Sequence, residues 1–201
     1  MKIFIGLGNP GKKYEKTRHN AGCAALDFFD RADKTKEHFF LIGREKNAAV
    51  ETAEYEWVGE DMKEMILCVW PQLYMNRSGE AVRDLVRTHG KKIHLAEDVI
   101  VLHDDMDISV GTLKITKDSS SGGHKGVQNI IDQLKTKNFI RFRIGIRPLC
   151  ETGARMEDFV LKKFSKEEEK ALDGIYETVS AAIRYFLTHG LSKTQNIFNK
   201  K

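Results

Sequence analysis

Cysteine is scarce. Cys23, Cys68 and Cys150 are the only three in 201 residues, odd in number, far apart and without a Cys-x-x-Cys pair, which argues against a disulfide framework or a thiolate zinc site and leaves reduced thiols, buried or incidental. No apolar run approaches the length that spans a bilayer, and the amino terminus lacks the order of a signal peptide, so a cytoplasmic protein is expected. A Gly-x-Ser-x-Gly elbow is missing, which removes the serine nucleophile of an α/β-hydrolase. Repeats, linkers and low-complexity stretches are missing too. With 41% hydrophobic and 31% charged residues, the length points to one domain over residues 1–201, large enough for a proper core.

Charge of one sign is also in short supply: the net value is +4, too small by itself to announce a nucleic-acid partner. Its distribution says more. Residues 1–20 hold Lys2, Lys12, Lys13, Lys16 and Arg18 against Glu15, residues 114–155 are again basic, and residues 51–64 are acidic. If the two basic segments share a face, that face attracts a polyphosphate backbone. A solvated mixture of charges is the plainer alternative.

What is present begins with Ile3 to Asn20, an apolar β-branched run that turns through Gly6, Gly8, Pro10 and Gly11 and ends in a basic segment with one histidine. Gly6-Leu-Gly8-Asn-Pro-Gly11 is literally a dinucleotide-binding Gly-x-Gly-x-x-Gly, but its context is wrong. Lys12, Lys13, Glu15, Lys16 and Arg18 follow where an apolar helix face belongs, and the next apolar run, Phe39 to Ile42, meets Gly43 and Arg44 rather than an acidic residue for a ribose. A strand remains, then a tight turn presenting Asn9 and a loop presenting His19 before a helix.

Periodicity predicts the other elements. Ala21, Ala25, Phe28, Phe29 and Ala32 are spaced as a helix capped by Asn20. Ala48–Val58 and Lys63–Trp70 form a hairpin around Gly59-Glu60-Asp61, stopped by Pro71. The polar loop Gln72 to Gly79 leads into a helix ending at Gly90, and Asn76 is by itself a turn former or cap. Val99–Leu102 is a strand buried on both faces, emptying into His103-Asp104-Asp105-Met106-Asp107. That cluster suggests a divalent metal, but Asp104 and Asp105 point opposite ways along an extended chain and no second ligand cluster is available, so none is expected. Thr112–Lys117 is a strand, followed by a Gly/Ser-rich loop to Gly126 that could cradle an anion at the start of a helix striped by Val127, Ile130, Ile131 and Leu134. Phe139–Ile146 is a strand whose Arg141 and Arg143 would be surface residues if it lies at an edge. Lys166 to Gly190 is a long amphipathic helix, and Leu191 to Lys201 a polar, partly ordered tail.

Four separated stretches together resemble the bacterial-type peptidyl-tRNA hydrolases: Gly6-Leu-Gly-Asn-Pro-Gly11 with Thr17-Arg-His-Asn-Ala-Gly22, the Tyr74-Met75-Asn76 loop with Ser78-Gly79, His103-Asp-Asp-Met-Asp107, and Gly122-Gly-His-Lys-Gly126 with Arg141-Phe-Arg-Ile-Gly-Ile146. The resemblance implies an α/β fold, a twisted mixed sheet between helices, acting as a monomer without metal or cofactor. It implies hydrolysis of the ester between peptide and tRNA, with His19 as general base, Asp104 as its orienter and Asn9 as reader of the blocked amino group. Tyr14, Tyr74, Met75 and Asn76 would contact the tRNA end or the peptide. Lys125 stands where the family usually has a substrate-binding asparagine, and Lys114, Lys117 and Arg143 are candidate phosphate contacts on the acceptor stem. Lys125 also favours an alternative, an RNA-binding relative that has lost turnover, as some plant organellar members serve splicing. A metal-dependent hydrolase built on Asp104 to Asp107 is a third reading, and it predicts loss of activity with chelator.

Overall fold

The structure is a computed structural model, and it describes residues 1–32, 38–60, 62–90, 93–148 and 156–199. One sheet organises it. Seven strands, β1 (Lys2–Gly6), β2 (Phe39–Lys46), β3 (Val50–Val58), β4 (Lys63–Pro71), β5 (Val99–Ser109), β6 (Leu113–Lys117) and β7 (Ile140–Arg147), lie in the order β2-β3-β4-β1-β5-β7-β6. The pairs β1–β4, β1–β5 and β5–β7 are parallel, while the β2–β3–β4 ribbon and the β6–β7 pair are antiparallel.

Alternation along the central strands divides the core into two layers. Phe4, Ile100 and Leu102 face one side, where α1 (Ala21–Ala32) and α6 (Lys166–Phe198) supply Ala25, Phe29, Leu172, Val179 and Ile183. Ile3, Ile5, Val99 and Val101 face the other, against Val82 and Leu85 of α2 (Ser78–His89) and Val127 and Ile130 of α4 (Lys125–Leu134). Two short helices, α3 (Leu95–Asp98) and α5 (Met156–Val160), complete the set among the described residues. No helix of the described residues is long and apolar enough to cross a membrane.

Several sequence expectations change in three dimensions. Asn20 does not cap α1: its side-chain amide pairs with the backbone of Asn9, accepting from the N–H at 2.9 Å and donating to the carbonyl at 3.0 Å. Nor does Asn76 cap α2, whose N-cap is Arg77. β7 is an interior strand, not an edge, so Arg141 is buried rather than superficial. Pro71 is the last residue of β4, paired with Val50 beyond the reach of the β1 ladder, where its missing N–H costs nothing. The tail is helical: after a break at Gly190, with φ of 76°, α6 resumes to Phe198 because its end has partners. Asn199 Oδ1 accepts the Ile115 N–H at 2.7 Å and its Nδ2 donates to the Ile115 carbonyl at 2.8 Å, covering part of the open edge of β6. Cys68 is buried and Cys23 half-buried, its thiol pushed up to about 12 chiefly by desolvation. Cys150 and Asp61 lie outside the described residues.

Candidate active site

The carboxyl ends of β1, β4 and β5 open into one cleft of about 460 Å³, in the place where parallel sheets usually hold ligands. Asn9, Tyr14, His19, Tyr74, Met75, Asn76, Asp104, His124 and Lys125 all line it. Close packing of α1 on β5 brings two distant sequence segments together. Gly22 approaches β5 so tightly that a Cβ there would lie 2.1 Å from the Leu102 carbonyl oxygen. The 3-10 turn Arg18–Asn20 immediately before α1 is therefore set against Asp104 at the end of the apolar part of β5.

His19 is 7% exposed and Asp104 2%. His19 Nδ1 lies 3.0 Å from Asp104 Oδ1 and 3.1 Å from Oδ2. An ionised carboxylate only accepts, so the imidazole proton sits on Nδ1 and the lone pair on Nε2. A second histidine, which the sequence reading passed over, bonds the same carboxylate: His124 Nε2 is 2.9 Å from Oδ1. Its tautomer is fixed independently, because Nδ1 accepts the backbone N–H groups of Gly126 and Val127, both at 3.2 Å, as the cap of α4. Burial alone would raise the Asp104 carboxyl, but its interactions with His124 and His19 outweigh that and hold it well below the usual carboxylate range. Asp104 is an anion wherever the protein is folded near neutral pH.

His103 lies behind this group. Its Nδ1 donates to the Asp104 backbone carbonyl at 2.8 Å, and its ring meets that of His124 edge-on, with centroids 4.9 Å apart. Nε2 has no hydrogen-bond partner among the described residues. Burial first, then the adjacent His124, push the imidazole down to about 3, so it is neutral while an unfolded chain takes up a proton below about pH 6.5. Between those values the unfolded state binds more protons, and stability must fall as pH falls. Urea denaturation of wild type and His103→Phe at pH 7 and pH 5 should show the wild-type stability declining relative to the variant, at most about 1.4 kcal/mol per pH unit below 6.5. A difference that stays constant with pH would mean that His103 titrates alike in both states.

Asn9 joins the two loops at the cleft. Its Oδ1 accepts the Met75 N–H at 2.8 Å, leaving Nδ2 as the donor it can offer. Asn76 is exposed in the 3-10 turn Met75–Arg77, whereas Met75 is 4% exposed and belongs to the core beneath the cleft. Tyr14 and Tyr74 meet edge-to-face at 6.2 Å, forming an aromatic wall. Lys125 is exposed, and its Nζ is 2.9 Å from Glu157 Oε1.

The basic candidates separate. Antiparallel register puts Lys114 opposite Arg143 and Lys117 opposite Ile140, so Lys114 and Arg143 share a face of the sheet that Lys117 does not. Arg143 Nε is bonded to Asp105 Oδ2 at 2.7 Å. The Gly/Ser-rich loop is not an open anion cradle, because His124 takes two N–H groups at the start of α4 and the buried Arg141 binds the carbonyls of Ser119 and Ser120. Desolvation lowers the Arg141 guanidinium to about 10, still a cation.

One atom each from His19, Asp104 and His124 lies within 4.8 Å of the others, a spacing a metal ion could use. The hydrogen bonding satisfies them differently. With Nδ1 of His124 occupied by two donors, Nε2 must carry the proton, and a cation would have to displace it and break the cap of α4. The Asp104 to Asp107 cluster is divided as well: Asp104 faces the histidines, while Asp105 accepts from Arg143 and from the Asp107 N–H.

A family model described as peptidyl-tRNA hydrolase matches residues 3–201. Among similar proteins, the peptidyl-tRNA hydrolase of Thermodesulfovibrio yellowstonii is 41% identical with both chains covered in full. That of Persephonella marina is 39% identical over all of this chain and 98% of its own. The crystal structure of peptidyl-tRNA hydrolase from Acinetobacter baumannii, 26% identical, superposes with a TM-score of 0.81 over 99% of this chain and 94% of that one.

Proposed function

The chain belongs to the peptidyl-tRNA hydrolase family, and we propose on that footing that His19 activates the water that cleaves the ester between a peptide and the 3′-terminal ribose of tRNA. The supporting observation is the bonding of His19: with Nδ1 engaged by both oxygens of Asp104, Nε2 is the nitrogen available to the cleft. Nε2 takes a proton as the water oxygen attacks the ester carbonyl, and Asp104 stabilises the imidazolium that forms. Collapse of the tetrahedral intermediate breaks the bond from the carbonyl carbon to the ribose oxygen, which recovers the proton from His19. His124 keeps Oδ1 of Asp104 in place through its own N–H.

Nδ2 of Asn9 and the amide of Asn76 are the donors for the carbonyl oxygen or the first peptide group, and one such donor is often worth about 3 to 4 kcal/mol in the transition state. An ester with a ribose leaving group is within reach of this set. A peptide bond, with its poorer leaving group, is a harder target. The Tyr14–Tyr74 wall offers stacking surface to a base or side chain, and Lys114 offers charge to the acceptor stem.

Release of N-acetyl-aminoacyl groups from tRNA, with free aminoacyl-tRNA spared, is the expected activity, unchanged by EDTA. Tight binding of tRNA without cleavage would favour the RNA-binding alternative. Lys125 contributes an exposed charge at the rim, so Lys125→Ala should raise KM about two- to fivefold with kcat unchanged, in keeping with the small worth of exposed ionic contacts. Steady-state kinetics that instead gave a higher kcat/KM would make Lys125 an obstruction.

A further inference from the structure

Arg18 stands one residue before the base yet turns away from the cleft. Its side chain is 7% exposed, and the guanidinium lies 4.3 Å from the ring centroid of Phe159 and 4.9 Å from that of Phe164. Nη2 donates to Glu168 Oε2 at 2.5 Å, Nη1 to the Lys163 carbonyl, and the Arg18 backbone N–H to the Lys162 carbonyl at 3.1 Å. The same Glu168 oxygen accepts the Ser165 N–H at 2.7 Å, closing the capping box that starts α6. These contacts fall on the end of α5 and the connection to α6, and Glu157, Asp158, Val160 and Leu161 of that region line the cleft.

A buried ion pair gains little over apolar side chains of equal volume, because desolvation consumes most of the attraction. What a guanidinium fork does supply is a single geometry. The fork of Arg18 joins the turn holding His19 to the wall of the cleft and to the first turn of α6. We infer that Arg18, fixed by Glu168, is a positioning residue for the hydrolysis: it sets the turn at residues 18–20 so that Nδ1 of the imidazole meets Asp104 while Nε2 meets the attacking water. The inference rests on the reading of His19 as base.

Three variants test it. Arg18→Met keeps length and apolar packing, Glu168→Gln keeps an acceptor for Ser165 but loses the charge, and Ser165→Ala weakens the cap of α6 while sparing the Arg18–Glu168 pair. The first two should lower kcat about tenfold or more with KM within about twofold, the cost of a misplaced base, and should shift the acid limb of the kcat pH profile. Ser165→Ala should lower the melting temperature and leave kcat alone. Unchanged kcat in Arg18→Met and Glu168→Gln, or losses that only follow the fraction of folded protein as in Ser165→Ala, would overturn the inference. If Arg18→Met does not fold, Glu168→Gln decides. Nitrogen NMR of His19 reads the same point without substrate: the proton on Nδ1 should dominate in wild type and Ser165→Ala and lose that dominance in Glu168→Gln. Should wild type fail to cleave the ester, the proposed function falls, and equal tautomer populations in all three proteins would then refute the positioning claim separately.

Discussion

His19→Ala is expected to lower release of N-acetyl-aminoacyl groups from tRNA by about 10² to 10⁴-fold, the usual contribution of a positioned general base, while tRNA affinity stays within about twofold. Asp104 is an anion, but its oxygens are bonded to two imidazoles. His124 has both nitrogens engaged, one by Asp104 and one by the start of α4. Asn9 has only a donor to spare. Among the lining residues that belong to this cluster, Nε2 of His19 is the basic lone pair left. The ring is almost buried, so its removal exposes little and takes no charged contact from the RNA. Single-turnover hydrolysis and a filter-binding titration read the two quantities separately. Rapid cleavage by His19→Ala would transfer the base role elsewhere.

Asp104→Asn should be about as damaging, for a different reason. Both histidines direct N–H groups at this side chain, His19 from Nδ1 and His124 from Nε2. Because His124 cannot change tautomer without losing the cap of α4, the carboxamide oxygen of the variant must serve His124, and its NH₂ then faces His19. The shared oxygen is still 3.0 Å from His19 Nδ1, but the NH₂ in the place of Oδ2, 3.1 Å away, turns its hydrogens on the Nδ1 proton, which favours the tautomer with the proton on Nε2 and removes the lone pair from the cleft. A loss of about 10² to 10⁴-fold in kcat follows, with binding retained. Folding stability should suffer too. The depressed Asp104 value stabilises the protein fully above the unfolded carboxyl value of about 3.9 and loses that contribution only as pH falls below it. The variant should therefore be less stable than wild type at pH 7, and the deficit should shrink in strong acid. A variant with wild-type kcat would show that the carboxylate orients nothing of consequence.

His19, Asp104 and Asn9 are legible in the sequence because each lies at the end of an apolar strand or in the glycine-rich turn and loop after one, where extended α/β chains place polar groups, whereas Asn76 stands out only through the family resemblance. The sheet brings them into one cleft. His124 is not legible in that way. It sits after a Gly/Ser-rich loop at a helix start, which reads locally as an anion site, and only the placement of that helix beside β5 turns its ring onto Asp104. The available signal was a histidine at an N-cap position, where its Nδ1 can accept as asparagine or serine would. The place of Arg141 stays open in the sequence for a related reason: alternation with Phe142 marks a charged face, but does not say whether a loop will fold over it. Its buried guanidinium braces Ser119 and Ser120, a contact between residues more than a strand apart. Polarity alone marks the tail as partly ordered, yet Gln195 and Asn199 use their side-chain amides to bond the backbone of Ile115.

The base assignment makes one direct demand. The ring of His19 should titrate, by NMR of the free protein, at the same pH that governs the acid limb of kcat/KM for N-acetyl-aminoacyl-tRNA, since only the neutral ring can accept the proton of water. Coincidence of the two midpoints is the predicted result. An enzyme that keeps full kcat/KM well below the pH at which His19 has become an imidazolium would contradict the account.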